Sequence, residues 1–240
     1  MLILPFTVFL CWGSFLNVCA YRLITGGSLW PRSACPHCHN TITWYDLFPV
    51  LSWLALHGKC RFCNAPISPL YPFIELLTAS VCTVFLYIIN PTYFPAYFLL
   101  ATALIITIRT DSEFMLIPRL CSLYLVPMGI TLAIFQFLPL SWPESISGAL
   151  IGYVTLAGIA YLYKKKTGVT GMGDGDPELL AAIGAFVGVT GVWYTLLIAS
   201  LSASLYALIL IALHKAAADT KIPFGPFLAC GALATVLLIT

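Results

Sequence analysis

Eight apolar stretches occupy most of this chain, at roughly 2–21, 73–90, 94–109, 120–138, 145–163, 177–191, 192–213 and 224–239. A bilayer crossing needs about 20 predominantly apolar residues. Hydrophobic residues make up 60% of the chain and charged ones only 8%, whereas soluble domains carry about a quarter charged residues. In lipid every backbone polar group must find a partner within the segment, which leaves helices for stretches of this length. The expectation is an all-α, polytopic membrane protein with about eight transmembrane helices. The ends of the fourth stretch, which holds Pro127, and of the short sixth are loosely defined. The first stretch lacks a basic start and a small-residue cleavage site, so it reads as a retained span and not as a removable signal.

Charge placement sets the expected topology. With the N-terminus outside and the spans alternating, the inner loops hold Arg22, Arg32, Lys59, Arg61, Arg109, Arg119, Lys164, Lys165, Lys166, Lys215 and Lys221, all eleven basic residues. Such asymmetry is what the positive-inside rule describes. Lys164–Lys166 suit anionic lipid headgroups, or simply anchor the fifth span. The domain plan that follows is a first span over 1–21, a cytoplasmic region over 22–70, and a membrane-embedded helical bundle over 71–240.

The region 22–70 contains Cys35-Pro36-His37-Cys38 and, after 21 intervening residues, Cys60-Arg61-Phe62-Cys63. Two C-x-x-C knuckles can supply four thiolates to one tetrahedral zinc ion. A disulfide framework is the rival, disfavoured in a reducing cytosol. A region so small and polar gains folding energy from a metal, and four thiolates leave no open position for catalysis. His37 and His39 adjoin the knuckles but read as exposed residues. Cys11, Cys19, Cys82, Cys121 and Cys230 read as small buried hydrophobes. Between the knuckles, the aromatic run Trp44–Leu54 suits a helix lying in the membrane interface. Asn17, in a small-residue stretch of the first span, is read as bonding a neighbouring helix. Glu75 either caps the second span or has a functional role.

Two acidic clusters face the same side of the membrane. Asp111 and Glu113 close the third span just before Pro118, with an ion pair to Arg109 or Arg119 as the structural alternative for Asp111. The second is Gly171-Met172-Gly173-Asp174-Gly175-Asp176-Pro177-Glu178, where a glycine-rich loop turns into the sixth span. Asp176 followed by Pro177 reads as an N-cap and first helical residue. Ionisable groups at a membrane segment are costly enough to be functional candidates. Two aspartates from different helix ends can share one proton, so that one acts as base on a water and the other as acid on a peptide carbonyl. Glycines around Asp176 would let a substrate backbone come close. That is aspartic peptidase chemistry at a membrane boundary.

The run Gly13–Arg22, the two C-x-x-C pairs around Trp44–Leu54, Tyr71-Pro72-Phe73-Ile74-Glu75, Asp111 to Pro118, and Gly173-Asp174-Gly175-Asp176 resemble the bacterial type IV prepilin peptidases, in order and over essentially the whole chain. The resemblance implies that Asp176, in G-x-G-D, and Asp111, first in a D-x-D/E-x-x-x-x-P run, are the catalytic pair. Asp174 then falls on the variable position of its motif and Glu113 on the variable second acid. It further implies prepilin or pseudopilin substrates, cut after a short basic leader and just before a hydrophobic helix. N-methylation of the new N-terminus with S-adenosylmethionine is a second implied activity, with no residue assigned to that cofactor. The implied location is the bacterial inner membrane, with the active site at the cytoplasmic face. Two positions depart from the pattern: Arg119 stands where an acid or amide is usual, and Glu178 where lysine is common.

Other classes remain as alternatives. An ion-coupled transporter also has inward carboxylates, but usually repeated halves and broken helices near the midplane. A zinc-bearing scaffold would tolerate loss of either aspartate. A presenilin-like intramembrane protease shares G-x-G-D, although the Cys-rich region argues against it. No internal repeat, low-complexity tract or nucleotide-binding fingerprint is present, and no nucleic-acid partner is expected.

Overall fold

In a computed structural model, residues 2–28, 30, 32–169, 171–214 and 222–239 are described; Lys215 and Lys221, two of the basic residues assigned to inner loops, lie outside them. Among the described residues the chain is all-helical, with only two isolated bridges, Ala34 to Thr41 and Lys59 to Pro66. Five helices among these residues are long and apolar enough to cross a membrane, and two more apolar helices are shorter. Contacts divide the chain into two compact units, Met1–Tyr87 and Ile88–Thr240.

In the first unit, α1 (Ile3–Thr25) and α3 (Leu70–Ile88) are the long helices, and α2 is the short Leu51–Ala55. Small residues let α1 and α3 touch: a Cβ at Gly13 would fall 2.8 Å from the Glu75 Cα. Asn17, 1% exposed, donates from Nδ2 to the Tyr71 carbonyl at 3.2 Å, the interhelical bond its position led one to expect. The aromatic run between the knuckles is not one helix. It forms a 3-10 turn over Trp44–Leu47 and then α2, because Val50 between them takes φ 62°. Glu75 does not cap its own helix; its Oε2 accepts the Val50 N–H at 2.7 Å and ties the start of α2 to α3.

The second unit holds α4 (Phe94–Phe114), α5 (Leu125–Ile134), α6 (Trp142–Thr167), α7 (Gly175–Ala212) and α8 (Gly225–Ile239). α7 is 38 residues long but breaks at Gly188, whose φ 69° and ψ −175° leave the helical region. A positive φ of this kind is open to glycine at little cost. The break makes two segments of α7, which with the four other long helices and the two shorter ones gives eight apolar helical segments among the described residues. It lies at 188, not at the 191/192 boundary read from hydropathy. α5 is much shorter than the stretch 120–138 that announced it. Met115 ends α4 in a left-handed cap at φ 52°, and successive turns then occupy the chain up to Leu125. Ten helical residues rise about 15 Å, roughly half the hydrocarbon core.

α6 and α7 meet through glycine. A Cβ added at Gly148 or at Gly184 would run into the facing backbone carbonyl of the other, and Ser145 Oγ donates to the Ala185 carbonyl at 2.7 Å. α7 and α8 meet likewise, with Thr195 and Thr235 hydroxyls 3.2 Å apart and Gly231 against the Thr195 carbonyl. In lipid, van der Waals contact and interhelical hydrogen bonds replace the hydrophobic drive that packs soluble helices.

Candidate active site and metal centre

The last turn of α4 carries Asp111, 6% exposed, and the first turn of α7 carries Asp176, 5% exposed. α7 starts at Gly175 with Asp174 as its N-cap residue, two residues earlier than the Asp176-Pro177 cap read from sequence. Proline fits anywhere in the first turn, where its missing N–H has no intrahelical acceptor, so Pro177 did not mark the start. The earlier start separates two neighbouring acids, leaving Asp174 exposed and turning Asp176 inward.

Asp111 Oδ2 accepts the backbone N–H of Gly225, the first residue of α8, at 2.9 Å. Ile117, beyond the α4 cap, lies against both flanking glycines. A Cβ at Gly175 would sit 3.0 Å from its Cβ, and one at Gly225 would sit 3.3 Å from its Cδ1. The ends of α4, α7 and α8 therefore converge on one side chain. Arg109, 1% exposed, pairs with Glu113 one turn on, so the second acid of the α4 cluster neutralises a buried guanidinium. Gly225 and Ile117 were not singled out in the sequence. The Gly225-Pro226 pair opening the last stretch was the available sign, since glycine there permits a backbone amide to approach another group closely.

In the first unit, the two knuckles are copies of one local design. In each, the N–H of the fourth residue after the first cysteine returns to that cysteine's carbonyl, His39 to Cys35 and Asn64 to Cys60, both at 2.9 Å. His39 and Asn64 take φ 57° and 56°. His39 is thus the turn residue of its knuckle, and both His37 and His39 are exposed, as expected. The Sγ atoms of Cys35, Cys38, Cys60 and Cys63 lie within 4.8 Å of one another. Cys35 and Cys63 sulfurs are 3.8 Å apart, close to the spacing of about 3.8 Å that four Zn–S bonds of about 2.3 Å impose on a tetrahedron. Backbone N–H groups of Cys63 and Phe62 aimed at the Cys60 sulfur bring its thiol down to about 7, while desolvation and the neighbouring sulfurs push the Cys63 thiol up to about 12. Four sulfurs so placed can hold one metal ion and leave no open position. Arg61, inside the second knuckle, forks onto Asp46 at 2.6 and 2.8 Å and lies 5.2 Å from the Tyr45 ring centre. That guanidinium holds the Asp46 carboxyl below the usual carboxylate range.

Residues 8–89 match the bacterial peptidase A24 N-terminal domain, and residues 98–208 match the type IV leader peptidase family. A prepilin leader peptidase/N-methyltransferase of Aeromonas hydrophila is 39% identical over 202 residues, covering 83% of this chain and 69% of its own. The chain belongs to the type IV leader peptidase family. Proteins of the same printed name from Burkholderia pseudomallei and Pseudomonas aeruginosa are 35% and 34% identical, over 88% and 90% of this chain and 68% and 83% of their own. No solved structure matches the chain. As a type IV leader peptidase the chain is a membrane-embedded protease, which sets the transporter and scaffold alternatives aside. The family boundary near residue 89 falls where the two compact units divide.

Proposed function

We propose that this chain is an aspartic endopeptidase that removes the short basic leader of prepilins or pseudopilins at the cytoplasmic face of the bacterial inner membrane. Asp111 and Asp176 are its catalytic pair. The observation that carries the reading is the burial of these two carboxylates at the converging ends of α4, α7 and α8, with Asp111 on the Gly225 N–H. A pair of this kind divides acid and base work: one carboxylate takes a proton from the attacking water while its partner gives one to the peptide carbonyl. The eleven basic residues assigned to inner loops support placing this end of the bundle on the cytoplasmic side. The names of the relatives join a methyltransferase to the peptidase. We carry over N-methylation of the new N-terminus, with S-adenosylmethionine as donor, as the second half of the reading. Residues 22–70 are assigned a structural zinc ion on Cys35, Cys38, Cys60 and Cys63, and residues 71–240 the peptidase bundle.

The test is co-expression with a candidate prepilin, followed by determination of the product's N-terminus. Asp111→Asn and Asp176→Asn should each abolish cleavage with membrane insertion intact. The double variant should be no worse than either single, because members of one catalytic unit are not additive. Asp174→Asn, two residues away and exposed, should keep most activity. Cleavage surviving both Asp111→Asn and Asp176→Asn would reject the assignment, and loss confined to Asp174→Asn would place the catalytic acid at the other aspartate of the motif.

A further inference from the structure

Asp111 and Asp176 sit on different helices, so their alignment depends on whatever ties α4 to α7 at that end. The chain leaving α4 makes a tight series of turns, with the Cys121 N–H donating to the Pro118 carbonyl at 2.8 Å and the Tyr124 N–H to the Arg119 carbonyl at 3.0 Å. Ser122 lies within these turns and is 0% exposed. Its hydroxyl reaches across to Glu178 Oε2, in the first turn of α7, at 3.2 Å; the Pro118 carbonyl is a longer alternative acceptor at 3.5 Å. The Glu178 contact is the shorter of the two. Five residues before Ser122, Ile117 fills the notch between Gly175 and Gly225. The segment that follows Asp111 is thus fastened to the Asp176 helix twice, by an apolar wedge and by one hydrogen bond between side chains.

We infer that Glu178 is a positioning residue for peptide cleavage: through Ser122 it holds the 115–124 turns, and with them Asp111, in register with Asp176. The inference rests on the reading of Asp111 and Asp176 as the catalytic pair. The competing account of Glu178 is a first-turn acid that merely complements the positive end of α7. The two accounts make opposite demands. A latch needs a hydrogen-bond acceptor at the reach of glutamate, which glutamine supplies and aspartate does not. The helix end needs a negative charge in its first turn, which aspartate supplies and glutamine does not.

The experiment measures kcat and KM of the full chain in detergent on a synthetic peptide carrying a basic leader ahead of an apolar segment. Misplacing a catalytic group by about 1 Å can cost about 10²-fold, so Glu178→Asp, Glu178→Ala and Ser122→Ala should each lower kcat by about 10- to 100-fold with KM unchanged. Glu178→Gln should turn over like the parent. The Ser122→Ala/Glu178→Ala double variant should be no slower than either single, because both remove one contact. Glu178→Asp keeps a first-turn acid and so guards against loss of folding. Parental kcat in Glu178→Asp together with a slow Glu178→Gln would overturn the latch in favour of helix-end charge. Additive losses in the double variant would overturn it as well. Asp176→Asn in the same assay separates the two claims. If it still cleaves, the catalytic assignment has failed; if it is dead while Glu178→Ala and Ser122→Ala run at the parental rate, only the latch has.

Discussion

Replacing Gly225 with alanine should slow the enzyme while leaving the fold in place. A Cβ at this position would lie 2.7 Å from Asp111 Oδ2, against an ordinary contact of 3.4 Å and a limit of 3.0 Å that real Cβ atoms essentially never breach. The carboxylate must therefore retreat by 0.3 to 0.7 Å (3.0 − 2.7 and 3.4 − 2.7), or the start of α8 must lift away from it. Either movement stretches the 2.9 Å bond from the Gly225 N–H. Scaling from about 10²-fold for a 1 Å misplacement, kcat should fall about 4- to 25-fold, or about 1 to 2 kcal/mol of barrier. Folding should suffer little, because the atom that has to move is the end of a side chain. Gly225 is not among the glycines with positive φ, and alanine favours a helix over glycine by up to about 1 kcal/mol. Gly158, in the middle of α6, has open space where its Cβ would be, so Gly158→Ala should leave kcat and Tm at or above the parental values. The assay is peptide cleavage in detergent, with thermal unfolding followed in parallel. Parental kcat in Gly225→Ala at unchanged Tm would show that the Asp111 carboxylate is not held against this amide during turnover. An equal loss in Gly158→Ala would show that the effect is general to glycine replacement.

Two further outcomes concern the rest of the molecule. Purified protein should hold about one zinc ion per chain, and replacing Cys38 and Cys63 with serine should remove it and expose residues 22–70 to protease, with part of the peptidase activity kept; metal loss with unchanged protease sensitivity would contradict a structural role. Single cysteines placed at residues 40 and 168 in a background lacking reactive thiols should both be labelled only from the cytoplasmic side, and labelling of either from outside would overturn the eight-segment topology.

Much of the site was legible because its chemistry is local in sequence. Apolar stretches announce helices in lipid by themselves, since each must satisfy its own backbone. The cysteine spacing similarly anticipated one cluster of four sulfurs, because a C-x-x-C turn fixes two sulfurs within a few residues; the fold had only to bring two such turns together, which it does to within 4.8 Å. The acidic motifs marked Asp111 and Asp176 for the same reason. What hydropathy could not give was where helices stop. The left-handed cap at Met115, the turns from Pro118 to Leu125 and the break at Gly188 are backbone events inside apolar sequence, and they shortened the fourth stretch and moved the boundary within α7. Proline misdirected the start of α7, because a residue tolerated throughout the first turn does not specify its beginning.

Only the tertiary structure decided the long-range partners. Gly225 lies 114 residues from Asp111 and Glu178 lies 56 from Ser122, and no periodicity or spacing encodes which of many glycines or acids will meet which carboxylate or hydroxyl. Glu75 shows the same limit: its place at the head of a helix allowed a cap, and the packed structure gave it the Val50 amide instead. Helices in lipid choose partners by close backbone approach at small residues, and that choice depends on the shapes of both surfaces at once. The sequence determined where the acidic motifs stand and that they ride on apolar helices. Packing determined that the helix ends bearing Asp111 and Asp176 converge on Ile117, that the Gly225 amide meets Asp111, and that Asp174 stays exposed.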